Sequence, residues 1–210
     1  MRLLELFSGT QSVGKVARKL GYDVVSLDLK NADIETDILK WNYREIPKKS
    51  FDIIFASPPC DTFSNLKCCN IGRKLKRHNG QILTRELIQQ DIDNVGLPIL
   101  RKTEEIIKYF NPTLWYIENP KTGRMKDYIL DRPYYDVDYC KYSDWGYKKS
   151  TRIWTNLEGF EPKICKKDCG NMNGNKHISN IGGKTLGNVS NISLKYRIPP
   201  KLIYELIPNI

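Results

Sequence analysis

Short, mostly apolar runs, each cut off by turn residues, dominate the first 120 positions and limit the folds open to this chain. Leu3 to Phe7 closes on Ser8-Gly9, and Val24 to Leu27 ends at Asp28. Phe51 to Ala56 is broken at once by Pro58-Pro59, and Leu114 to Ile117 is stopped by Asn119-Pro120. Between the first two runs, Val13, Val16, Ala17 and Leu20 fall at helical spacing with Gly21 behind them. Ile99, Leu100, Ile106, Ile107 and Phe110 repeat that spacing before the fourth run. Strands alternating with helices imply a mostly parallel α/β sheet with helices on both faces. Tyr134 to Tyr142 and Arg152 to Leu157 read as a late strand pair. Residues 158–197 are rich in Gly, Asn, Lys and Ser and read as irregular, and Pro199-Pro200 open a closing helix through Leu206.

At 210 residues, 40% hydrophobic and 28% charged, the chain has the composition of one ordinary globular domain. No apolar run approaches the roughly 18–20 residues that span a bilayer, and the N-terminus meets polar residues too soon for a signal peptide. A cytoplasmic protein is expected. The net charge of +10 is uneven: residues 1–60 hold nine basic and eight acidic side chains, residues 139–201 twelve and four. That asymmetry points to a polyanion facing the C-terminal half, although surplus lysine also serves solubility. In such a compartment the six cysteines read as free thiols, metal ligands or a nucleophile rather than disulfides.

Two strand ends carry chemistry. The first strand–turn–helix has glycines at 9 and 14, a spacing that differs from the dinucleotide fingerprint but lets backbone approach a ligand at a helix N-terminus. Asp28 could accept from ribose hydroxyls, while Asp37 and Ile38 offer one polar and one apolar group to a purine. A tight turn with capping acids would explain the same residues. The stronger signal is Ala56-Ser57-Pro58-Pro59-Cys60-Asp61-Thr62-Phe63-Ser64, a cysteine just past a buried strand. Glu118-Asn119-Pro120 ends another strand at the same rim. A thiol and a carboxyl together can add to an electron-poor ring and hydrogen-bond its nitrogen.

These segments resemble the DNA (cytosine-5) methyltransferases. Leu6-Phe7-Ser8-Gly9-Thr10-Gln11-Ser12-Val13-Gly14 is similar to that family's S-adenosyl-L-methionine loop, and Pro59-Cys60-Asp61-Thr62-Phe63-Ser64 to its P-C-x-x-F-S nucleophile motif. Glu118-Asn119-Pro120 resembles its E-N-V motif, Thr151-Arg152-Ile153-Trp154 the arginine strand, and Ile198-Pro199-Pro200 the closing motif. The resemblance implies a Rossmann-like methyltransferase fold and carbon-5 methylation of a cytosine flipped from double-stranded DNA. It implies Cys60 as nucleophile, Glu118 at the ring nitrogen and amino group, and Arg152 at the ring oxygen or holding the other two. The cofactor would lie on Phe7, Ser8, Gly9, Thr10, Gln11, Ser12, Asp28, Leu29, Asp37, Ile38, Ser57 and Pro59. Nucleic acid would meet Ser64, Asn119 and the basic run Arg73, Lys74, Lys76 and Arg77, a run that could equally be a solvated face.

The family's usual valine is Pro120 here, and Thr10 stands where a second glycine is common. A catalytic core over 1–157, a short insert over 158–197 and a closing helix over 198–210 are expected. The insert is too short for the family's separate target-recognition domain, so any sequence specificity is expected to be short or relaxed. It contains Cys165, Cys169 and His177, with Cys140 upstream. A zinc site is conceivable, but the spacing is looser than in standard zinc motifs, and unpaired thiols are the expectation. Methylation of RNA, methylation of the cytosine amino group and a non-catalytic nucleic-acid binder are the competing functions. A monomer is favoured, and the Ile, Asn and Lys richness suggests an AT-rich bacterial, phage or large-DNA-virus genome.

Overall fold

The computed structural model describes residues 1–179 and 195–209. The apolar runs become strands of one seven-stranded sheet: β1 (Arg2–Leu6), β2 (Asp23–Asp28), β3 (Ile34–Glu35), β4 (Ile53–Ala56), β5 (Leu114–Pro120), β6 (Tyr134–Asp138) and β7 (Ser150–Thr155). Their order across the sheet is β3-β2-β1-β4-β5-β7-β6. Neighbours from β3 to β5 pair parallel, while β7 runs antiparallel to both β5 and β6. The chain therefore leaves β1 towards β2 on one side and returns to β4 on the other. The gap between β1 and β4 is a topological switch point, where open α/β sheets place their ligands beyond the carboxyl ends of the strands.

Alternate residues of the buried strands serve opposite faces. Leu3, Ile53, Phe55, Tyr116 and Ile153 pack against α1 (Ser12–Lys19) and the closing helix, with Val13, Val16, Ala17, Leu202, Ile203 and Leu206. Leu4, Leu6, Ile54, Ala56 and Ile117 meet Leu100, Ile106, Ile107 and Phe110 of α3 (Leu97–Phe110). The result is the three-layer arrangement that the apolar runs imply. Pro98 lies in the first turn of α3 and Asn111 ends it in a left-handed conformation. The closing helix α4 spans Pro200–Leu206, where the double proline predicts it.

Two features have no counterpart in the sequence reading. Helix α2 (Arg85–Asp91) starts with Thr84, whose hydroxyl accepts from the Leu87 N–H at 3.2 Å. It joins α3 through a π-turn, Ile92–Gly96. A small hairpin, β8 (Met172–Asn173) with β9 (Lys176–His177), gives part of the insert a shape of its own. Residues 180–194 of the insert lie outside the described residues. Among the described residues, no helix is long and apolar enough to cross a membrane.

Candidate active site

The registers Leu6↔Ala56 and Ala56↔Ile117 bring the ends of β1, β4 and β5 to one rim. Three loops leave from it: 7–11 after β1, 57–64 after β4, and the Glu118-Asn119-Pro120 end of β5 itself.

The first loop is a contorted turn. Phe7, Gly9 and Gln11 all take positive φ, at 60°, 38° and 52°. For Phe7 and Gln11 that conformation costs of order 1 kcal/mol each, and it persists only where surroundings enforce it. Asp28 supplies part of that enforcement, its carboxylate accepting from the Gly9 N–H at 2.8 Å and from the Leu29 N–H at 2.6 Å. Ser8 donates its N–H to the Leu27 carbonyl at 3.1 Å, stitching the loop to β2.

Glu5, which sequence reasoning passed over, does more. Helix α1 has no side-chain cap of its own. The buried Glu5 carboxyl accepts instead from the N–H groups of Val13 (3.1 Å) and Gly14 (2.9 Å). Burial pushes its pKa up to about 7, against the pull of those two N–H groups. Gly14 is a glycine for the same reason, since a Cβ there would lie 2.6 Å from Glu5 Oε2. The only sequence signal for Glu5 is an acid inside an otherwise apolar strand.

The loop around 7–14 suits the adenosyl cofactor on grounds internal to the structure. Ser8 Oγ is buried with no partner among the described residues, and Leu29 is 67% exposed at the end of β2. Thr10 and Ser12 hydroxyls pair at 2.7 Å beside them, and the Ile198 N–H donates to Ser12 Oγ at 3.2 Å. Asp37 accepts from the Leu39 N–H at 2.9 Å, but Ile38 is buried in the core beside Leu4 and Leu6 and has little surface left for a purine.

Ser57 is held to β1 through its N–H on the Leu6 carbonyl (3.2 Å), so the path to Pro59 and Cys60 starts from a fixed point. Asn119 fixes the other side. It was expected at the nucleic acid, yet it is 1% exposed and donates Nδ2 to the Pro58 carbonyl at 2.9 Å. A buried amide tied to the cysteine loop has no surface for DNA, so it positions instead. Phe63 anchors the loop's far end: it is buried against Gly96, where a Cβ would lie 2.9 Å from its ring. The π-turn thus presents its glycine to the aromatic residue of the P-C-x-x-F-S segment.

Cys60 and Glu118 come together. Burial pushes the Cys60 thiol above its ordinary range, the Glu118 carboxylate raises it further, and the Lys149 ammonium opposes both. Glu118 is itself buried, accepting from the Tyr139 hydroxyl at 3.0 Å, with Lys149 Nζ 3.7 Å from the same oxygen. Lys149 also lies 4.8 Å over the Tyr139 ring, and the Tyr139 N–H donates to the Lys149 carbonyl. Tyr139 and Lys149 were not foreseen, because their nearness to Glu118 depends on the pairing of β6 with β7.

Arg152 departs from its expected place. In the β5–β7 register it stands opposite Asn119, whereas Glu118 faces Ile153. Opposed residues share a face and neighbours alternate, so Arg152 and Glu118 project to opposite sides of the sheet. The guanidinium makes a two-point bond to Asp136 at 2.8 and 3.0 Å and lies 3.6 Å from the Tyr134 ring centroid. It fastens β6 to β7, and among the described residues Lys149 is the cation that pairs with the carboxyl and acts on the thiol. Arg73, Lys74 and Lys76 are exposed and Ser64 is half-buried, Lys76 and Ser64 lining one surface pocket with Asp61, while the Arg77 side chain lies outside the described atoms.

No family model matches the chain. A protein of Frog virus 3 (isolate Goorha), "Probable DNA (cytosine-5)-methyltransferase", is 44% identical over 219 residues, covering 99% of each chain. The chain belongs to the DNA (cytosine-5) methyltransferase family. Its Rossmann-like sheet is the S-adenosyl-L-methionine-dependent methyltransferase fold, and S-adenosyl-L-methionine is its cofactor. Solved structures are more distant. The Entamoeba histolytica methyltransferase EhMeth gives a TM-score of 0.49 at 15% identity, over 79% of this chain and 55% of that one. The S. pombe Dnmt2 methyltransferase gives 0.45 at 14%, over 80% and 54%, and a Spodoptera frugiperda Dnmt2 mutant 0.47 at 17%, over 78% and 53%. The chain spans about half the length of these three.

Proposed function

We propose that this methyltransferase acts on carbon 5 of cytosine in DNA, through a covalent adduct between Cys60 and carbon 6 of a flipped base. The observation that supports the reading is a buried carboxyl paired with an ammonium at 3.7 Å, both within electrostatic reach of the thiol that follows β4. An amino-group methyltransferase has no use for that trio. The whole-chain likeness to the frog virus protein supports DNA as the substrate.

S-adenosyl-L-methionine supplies an electrophilic sulfonium methyl when bound, and Ser8, Gly9, Asp28 and Leu29 are the residues of this chain set to hold it. The Cys60 thiolate adds to carbon 6, and the ring's electron pair moves to carbon 5. Glu118 meets the ring at nitrogen 3 and the exocyclic amino group, favouring the electron-rich adduct over the free base. Because burial holds the Cys60 proton on, Lys149 beside it favours the thiolate when the base arrives. Transfer of the methyl to carbon 5 would leave the donor as a neutral thioether; the carbon-5 proton then passes to solvent while its bonding pair re-forms the 5,6 double bond and expels the Cys60 thiolate. Asn119 and Phe63 hold the cysteine loop at its two ends, so the sulfur does not have to be recruited at the moment of attack.

The test uses purified protein, cofactor, two DNA duplexes, one normal and one carrying 5-fluorocytosine, and an RNA of the same sequence. Nucleoside mass spectrometry should show 5-methylcytosine, and the fluorinated duplex should be trapped covalently. Cys60→Ser should lose both while still binding cofactor by calorimetry. Methylation confined to RNA would overturn the DNA assignment, and N4-methylcytosine, or full activity in Cys60→Ser, would overturn the carbon-5 chemistry.

A further inference from the structure

Away from the active site, the chain from 158 to 179 wraps the end of the sheet almost without a core. Of its residues only Cys165 and Asn171 are buried. Hydrophobic burial is therefore not what gives this loop its path, and loop-rich modules of this kind depend on a staple.

The residues available for a staple converge. Cys140 lies in the turn after β6, Cys165 and Cys169 in the loop, and His177 on β9, and their four ligand atoms lie within 4.8 Å of one another. His177 Nε2 is 3.6 Å from Cys165 Sγ and 3.4 Å from Cys169 Sγ. A tetrahedral Zn²⁺ with its usual Zn–S and Zn–N bond lengths sets S···N edges at about 3.5 Å and S···S edges at about 3.8 Å. The two S···N distances are those of a coordination shell, and the 4.8 Å span of the four atoms leaves the sulfurs about 1 Å of closing movement to reach the S···S edge. Three sulfurs and one imidazole are a soft, tetrahedral donor set, which favours zinc over hard cations such as Mg²⁺ and Ca²⁺.

The surroundings are built to match. A Zn²⁺ held by three thiolates and a neutral imidazole carries one net negative charge, and two cations face it. Lys141 pairs with Asp168 at 3.1 Å and Lys148 with Asp138 at 3.0 Å, both close enough to feel the sulfurs. The Cys165 N–H donates to Asp138 Oδ2 at 2.8 Å. Asn171 donates to the carbonyls of Cys140 (2.9 Å) and Ser143 (2.7 Å) and accepts from the Gly146 N–H. These bonds fix the backbone on which the ligands stand, so the ligand atoms are held in place before a metal arrives.

We infer that Cys140, Cys165, Cys169 and His177 Nε2 bind one Zn²⁺, which fastens the insert to the β6–β7 end of the sheet. The neighbour of Cys140 in sequence is Tyr139, whose hydroxyl holds Glu118. The metal thus braces the wall of the active site while it orders the segment standing where a target-recognition domain would be. The loose spacing that argued against a metal reflects ligands gathered from a strand end, a loop and a hairpin rather than from one compact motif.

The full chain, expressed with zinc and kept reduced, should retain one zinc per chain by elemental mass spectrometry. Cobalt substitution should give thiolate charge-transfer and tetrahedral d–d bands. Cys169→Ser and His177→Asn should each weaken zinc binding more than about tenfold in chelator competition. The double variant at the exposed Cys68 and Cys69 should bind zinc as the natural chain does. The inference is overturned if the folded, reduced natural chain binds no zinc and gives no cobalt bands, a result independent of whether any variant folds. It is equally overturned if the Cys68/Cys69 variant loses as much metal, or if the chain isolated under reductant carries a Cys165–Cys169 disulfide. None of these readings involves methylation, so the outcome is separate from the substrate assignment.

Discussion

The Cys60 sulfur feels a carboxylate that opposes its ionisation and an ammonium that promotes it. Removing either neighbour should move the thiol in a known direction. The pH midpoint for its alkylation by iodoacetamide should fall in Glu118→Gln and rise in Lys149→Met. Lys149→Met should also slow single-turnover methylation on the order of 10²-fold, the usual effect of losing one group that meets developing charge. Arg152→Ala should instead destabilise the fold by about 2 kcal/mol, read from denaturant midpoints, because its charge-assisted bonds to Asp136 tie β6 to β7. If Arg152→Ala leaves stability untouched and abolishes the chemical step, the assignment of the site cation to Lys149 is wrong.

At the scale of elements, two contacts between strand, loop and helix set the site. Glu5 joins β1 to the first turn of α1, and its raised pKa makes that joint depend on pH. An acid held protonated in the folded state loses stability as pH rises from its unfolded value of 4.5 through its folded value of about 7. Relative to Glu5→Gln, the natural chain should therefore lose about 2.5 kcal/mol between pH 5 and 8, measured by urea unfolding at each pH. A difference that is constant with pH would refute the buried, partly protonated carboxyl. Gly96 joins the π-turn to Phe63. Gly96→Ala would put a Cβ 2.5 Å from Thr62 Oγ1 and 2.9 Å from the Phe63 ring. It should cost about 1–3 kcal/mol and, by shifting the Cys60 loop, lower kcat well before it weakens cofactor binding.

Over the whole molecule the charge is lopsided, and Arg73, Lys74 and Lys76 are exposed in the segment that follows the Cys60 loop, with Lys76 lining a surface pocket beside Asp61 and Ser64. If they meet phosphates, changing all three to Ala should reduce the slope of log K against log salt for a DNA duplex by about 3, roughly one per lost contact. The drop should be alike for unrelated duplex sequences, since phosphate contacts carry no base information. An unchanged slope would mark the run as a solvated face.

The sequence determined most of the frame. Apolar runs ended by Gly, Asp, Pro or Asn specify β1, β2, β4 and β5, because a strand buried on both faces has little room for polar side chains. The order of those runs along the chain, with helices between them, leaves a parallel sheet as the way to bury them. Cys60 and Glu118 were legible for the same reason, each lying just beyond or at the end of such a strand. What tertiary structure decided was everything set by pairing across the chain. The β5–β7 register sends Arg152 to one face and leaves Lys149 with Glu118. The proximity of β1 to α1 turns Glu5 into a helix cap, and the fold of a nearly coreless loop gathers three cysteines and a histidine. Periodicity along the chain reports which face a residue shares with its neighbours in sequence. It carries no information about which distant residue stands opposite, and a reactive site consists of such oppositions.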